Sequence, residues 1–230
     1  MQRRKLLLSG AAALTAVGGY NLYASLNGAA PVPGTTMIEP NAALAQSSDE
    51  ELDLSLVTEM ELGNPNAAVT VMEFASYTCP HCANFHQNAF KDIKAAYIDT
   101  GLIRFVYREV YFDAYGLWAA MVARCGGEAR FFGITEMLYA EQREWATGAD
   151  GAAVGENLRR IGRRAGMSDD ELNACLTDRD MAMAMMQVYQ NGATEYGIQG
   201  TPSFVINGET YSNMSFSEFQ DILDPLLADG

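Results

Sequence analysis

The sequence predicts an α/β domain interrupted by a helical insert. Three observations carry this expectation: residues 68–108 read as strand, helix, strand; residues 114–192 read as helix throughout; and a strand pattern returns at Ser203-Phe204-Val205-Ile206. Two strands joined through a helix imply a parallel pair, because a tight turn cannot connect them. With 230 residues, 49% of them apolar, the chain can build such a core without staples. Its formal charge of −14 argues against nucleic-acid binding, since phosphates would be repelled.

The N-terminus has a different character from the rest. Arg3, Arg4 and Lys5 precede an uncharged run from Leu6 to Leu26. A basic segment followed by an apolar one is the pattern of an export signal, and this run is also long enough to remain as a membrane anchor. Residues 1–27 are therefore expected to be a signal peptide or an N-terminal anchor. Residues 28–54 mix Pro, Gly, small and acidic residues without periodicity, as a flexible linker does.

Order is expected from about Ser55. Gly63-Asn64-Pro65-Asn66 is a turn by composition. Ala68 to Ala75 is apolar and β-branched at strand length, with Glu73 as its one charge. Pro80 suits the first position of a helix, expected to reach Tyr97 with Phe85, Phe90, Ile93 and Tyr97 on one face. Leu102 to Arg108 alternates as a strand. Helices follow near 114–126, 130–145, 151–165, 168–178 and 180–196, and Ser168 with Glu171 forms a capping box. Asn207-Gly208 reads as a hairpin turn after the returning strand, and a last helix spans 215–227. Residues 55–113 and 193–230 are thus expected to form the two halves of the α/β domain, with 114–192 as the insert.

The chemistry concentrates in Ser76-Tyr77-Thr78-Cys79-Pro80-His81-Cys82. Cys79 falls at the start of a helix, where free N–H groups and the helix dipole favour a thiolate, and His81 adds to that field. Cys82 lies on the same helical face, within reach of a disulfide. Stabilising the thiolate stabilises the reduced pair, so the disulfide becomes a stronger oxidant. A second reading stays open: Cys79, Cys82 and His86 supply three soft ligands, although the fourth that a closed metal site needs is missing. Apart from that possibility, His86 is expected to be a solvated or substrate-facing helix residue. An export signal implies an oxidising compartment, so Cys125 and Cys175, both on insert helices, are read as a structural disulfide. Met181, Met183, Met185 and Met186 are read as core filler.

Strand, Cys-Pro-His-Cys, helix, helical insert, then Gly200-Thr201-Pro202 before a strand resembles the DsbA family of exported thiol–disulfide oxidoreductases over residues 55–230. The resemblance implies a thioredoxin fold interrupted by an inserted all-helical domain. It implies Cys79 as nucleophile, Cys82 as resolving thiol, and His81 as redox tuner beside Pro80. It also implies Glu73 as a buried proton relay, and Thr201 with a cis Pro202 as the loop that binds extended substrate. A periplasmic site of action, substrate proteins with free thiols, re-oxidation by a DsbB-type membrane oxidase and no organic cofactor follow from the same resemblance. Thr201 stands where the best-known oxidase members carry Val, which leaves an isomerase or reductase as the alternative.

Overall fold

The computed structural model describes residues 52–228. The expected signal or anchor segment and nearly all of the expected linker lie outside the described residues. Among the described residues, no helix is long and apolar enough to cross a membrane.

The sheet has five strands in the order β1-β3-β2-β4-β5: β1 Met60–Gly63, β2 Val69–Ala75, β3 Ile103–Glu109, β4 Ser203–Ile206 and β5 Glu209–Ser212. β2 runs parallel to β3, with Val69 opposite Ile103 and Ala75 opposite Glu109, and antiparallel to β4, with Val71 opposite Ile206. Because β2 is covered on both faces, its apolar residues need not alternate with polar ones. Gly63 is required where it ends β1: its φ is +84°, and a Cβ there would stand 2.3 Å from the Ile103 carbonyl oxygen. Asn207 and Gly208 both have positive φ, as a two-residue hairpin demands. Asn207 Oδ1 also accepts from Thr70 N at 2.8 Å, pinning that hairpin to β2.

The β2–β3 crossover is α1 Pro80–Gln87 and α2 Ala89–Ile93, with a π-helical turn over Lys94–Ile98. The single helix expected to Tyr97 therefore breaks at Asn88. Its side-chain amide donates to the Asn84 carbonyl at 2.8 Å, taking the acceptor that the helix ladder would use. The returning ring cluster Phe85, Phe204 and Phe219, with centroids 4.8 to 5.9 Å apart, ties α1 to β4 and to the last helix, α9 Phe216–Ala228.

Between β3 and β4 lie α3 Ala114–Cys125, α4 Glu128–Ala140, α5 Gln142–Trp145, α6 Gly151–Arg164, α7 Asp169–Leu176 and α8 Arg179–Glu195. Asp113, Asp150, Ser168 and Asp178 cap α3, α6, α7 and α8, each accepting from a backbone N–H of the first turn. The chain departs from the expected segment ends in two places. A 3-10 turn at Leu54–Leu56, capped by Asp53, extends order into the expected linker. α8 runs through Gly192, so the helical segment continues past residue 192. Gly192 packs there on Phe74, whose ring a Cβ would meet at 3.2 Å. Met185 and Met186 are buried, while Met181 and Met183 are half-buried.

Candidate active site

β2 ends at Ala75, and three residues carry the chain to Cys79, the N-cap of α1, with extended φ −80° and ψ 120°. Pro80 at the first helical position fixes the turn without needing a hydrogen-bond partner for a missing N–H. Both flanks of this loop are held by the helical segment. Thr78 Oγ1 donates to Asp113, the α3 cap, at 2.8 Å. Gln142 Nε2 donates to the Tyr77 and Cys79 carbonyls at 2.7 and 2.9 Å. Gln142 was not legible as a site residue: it stands 63 positions from Cys79, with no local pattern marking it.

The two thiols are free and buried, and their surroundings push them apart. Cys79 is lowered from 9.0 to about 5, chiefly by a hydrogen bond from the Cys82 thiol and, against the opposing effect of burial, by the Thr201 hydroxyl and the backbone N–H groups of Cys82 and His81. Burial raises Cys82 far above the usual thiol range, helped by its bond to Cys79 and by the charge of Glu73. One proton therefore resides on Cys82, leaving Cys79 as the nucleophile. The exposed His81 acts here through its backbone. The Thr201–Pro202 peptide is cis, and the Cys79 sulfur lies 3.4 Å from the Thr201 carbonyl oxygen, to which it donates when protonated. Thr201 Oγ1 is buried without a protein hydrogen-bond partner, and it lies near enough to both sulfurs to favour their anions.

Glu73 is fully buried in β2, and His86 meets it there: Nε2 donates to both carboxylate oxygens, at 2.9 and 3.1 Å. This corrects the expectation of a solvated or substrate-facing His86, whose side chain is only 5% exposed. The physical reason is spacing. His86 follows Cys82 by four residues on the stripe that also buries Phe85, and an unpaired carboxylate there would be costly. Tyr139 stacks on the imidazole with centroids 4.3 Å apart, and its hydroxyl shares a 2.6 Å hydrogen bond with that of Tyr107. With its Nε2 committed to Glu73, the imidazole is a poor third ligand for a Cys79–Cys82 metal site. Among the described residues, no group of three or more His, Cys, Asp and Glu side chains is placed to hold a metal ion. Cys125 and Cys175 form a disulfide with Cα atoms 5.9 Å apart, joining α3 to α7.

A thioredoxin family model matches residues 55–225. The chain is 34% identical over 170 residues, 74% of its length, to a Rickettsia conorii protein provisionally named protein-disulfide oxidoreductase. It spans about 60% of the length of that curated relative. Among solved structures, Wolbachia pipientis alpha-DsbA1 superposes with a TM-score of 0.70 at 26% identity, covering 75% of this chain and 92% of that one. A protein-disulfide isomerase from Novosphingobium aromaticivorans gives 0.66 at 25% identity, covering 73% and 97%.

Proposed function

The chain belongs to the DsbA-like branch of the thioredoxin family, and from that premise we propose that it is an exported thiol–disulfide oxidoreductase that donates its Cys79–Cys82 disulfide to folding proteins. The observation that carries this reading is the opposite displacement of the two thiols, Cys79 down to about 5 and Cys82 upward. A thiolate stabilised in the reduced state makes the reduced state favourable, so electrons flow from substrate thiols to this pair.

In the reaction, a substrate thiolate attacks the Cys79 sulfur. A bond forms between substrate sulfur and Cys79, the Cys79–Cys82 bond breaks, and Cys82 leaves with the electron pair and takes up a proton. A second substrate thiolate then attacks the substrate sulfur of this mixed disulfide. Cys79 departs as its stabilised thiolate, and the substrate holds a new disulfide. The cis Thr201–Pro202 peptide, beside Cys79, is the surface for extended substrate backbone. Re-oxidation falls to a DsbB-type membrane oxidase, without an organic cofactor. The site of action is the periplasm, reached through the N-terminal signal or anchor.

The second reading, an isomerase or reductase kept in the dithiol state, is favoured by Thr201 before the cis proline and by the likeness to the Novosphingobium isomerase. Oxidative refolding of a reduced substrate, run beside insulin reduction, separates the two. The oxidase reading expects rapid refolding and little insulin reduction. A reduction potential near thioredoxin's, about −270 mV, would overturn it.

A further inference from the structure

Reduction of the Cys79–Cys82 disulfide obliges Cys82 to gain a proton, yet Cys82 is fully buried. We propose that His86 relays this proton between Glu73 and a water-filled cavity that the imidazole lines, a reading that rests on the exchange function above. The cavity, about 270 Å³, lies between α1–α2 and α4. Its wall includes buried His86, Thr135 and Tyr139 and exposed Lys91, Gly133 and Glu136, so it reaches from solvent to the interior. Leu62, Phe90 and Phe132 make part of the wall apolar. One water needs only roughly 10–15 Å³ by such a measure, however, and His86, Gln87, Lys91 and Glu136 supply polar partners for a short water chain.

Glu73 does not line this cavity. Its carboxylate is buried, and His86 both bonds it and touches the cavity, which makes the imidazole the connecting group. The other titratable groups facing His86 are Tyr107 from β3 and Tyr139 from α4, with Lys91, Lys94 and Glu136 on the cavity wall. Burial holds both phenols well above the usual tyrosine range, so neither competes by ionising. Lys94 is paired with Asp99.

The step balances as follows. The substrate thiolate forms its bond to Cys79, and the Cys79–Cys82 bond breaks with its electron pair on the Cys82 sulfur. His86 passes its Nε2 proton to the Glu73 carboxylate, the carboxyl hands a proton to that sulfur, and cavity water restores the imidazole's. Re-oxidation runs the same protons outward. The electrons come from the substrate dithiol, and no further reactant is needed. His86 is thus a positioning residue acting through Glu73, with a rate rather than an equilibrium as its effect.

Two variants test this. His86→Gln keeps a donor for Glu73 but cannot carry an ionising proton. Gly133→Leu plugs the cavity without touching the pair, and a Cβ at Gly133 meets nothing within 4 Å. Single-turnover reduction of the oxidised protein by a reduced dithiol peptide, in H2O and D2O, reads the step. Both variants are expected to slow it about tenfold or more and to enlarge the solvent isotope effect. The equilibrium constant of Gly133→Leu against glutathione should stay at the wild-type value. Should His86→Gln fail to fold, Gly133→Leu decides alone. Wild-type rates and isotope effects in Gly133→Leu overturn the relay, whereas a wild-type protein inert toward the peptide overturns the functional reading itself.

Discussion

Replacing Cys82 by Ala removes the hydrogen bond that most lowers Cys79. A hydrogen bond to a charged group contributes about 1.5–3 kcal/mol, and one pKa unit corresponds to about 1.36 kcal/mol, so Cys79 should rise by roughly one to two units. It should not return to 9.0, because the Thr201 hydroxyl and the N–H groups of His81 and Cys82 remain. From about 5, the expected value is about 6 to 7. Only the thiolate alkylates, so iodoacetamide labelling near pH 5 should slow roughly five- to fiftyfold while rates above pH 9 converge. Cys82→Ser, which keeps a donor, should stay near the wild-type profile. The same displacement sets the pH dependence of the reduced protein's stability. A depressed thiol contributes fully above its unfolded value of 9.0, and its contribution is lost as pH falls through about 5. An unchanged labelling profile in Cys82→Ala would refute this assignment and return the effect to the helix start and the Thr201 hydroxyl.

Two further outcomes are expected. Arg124 pairs with Glu109 through Nε and Nη2, both at 2.7 Å, with side chains only 6% and 4% exposed; Arg124→Ala should therefore destabilise by about 3–5 kcal/mol in urea unfolding, and the double variant with Glu109→Gln by clearly less. The Cys125–Cys175 bridge closes a loop of 50 residues, so Cys125→Ala/Cys175→Ala should lose about 4 kcal/mol, with single-turnover exchange at Cys79 unchanged.

Four of the five strands and most helices were legible because hydrophobic pattern and caps agree at each, whereas β1 was not expected as a strand. Val69–Ala75 is apolar but for Thr70 and Glu73, and Ser168 with Glu171 forms the capping box of α7. Cys79 and Cys82 were legible because their spacing and the preceding strand are local features. What escaped was set by tertiary contact. The sequence places Cys79 at a helix start but does not reveal that the neighbouring thiol is the largest single cause of its lowering. Gln142, Thr135 and Tyr139 reach the site from helices far along the chain. His86 did carry a signal. Four residues after Cys82, it belongs on the buried stripe, where Glu73 needs a partner. The break at Asn88 follows from one amide competing for one carbonyl, which periodicity cannot register.

The central strand has consequences for how the molecule is made. Thr70 meets Asn207 across 137 residues, so during synthesis β2 keeps one unpaired edge until almost the whole polypeptide has emerged. Thr201, which closes over Cys79, arrives in the same late event. A ribosome-bound or truncated chain would hold the CPHC helix without its substrate loop. Competence as a catalyst and completion of the fold should therefore appear together, at the end.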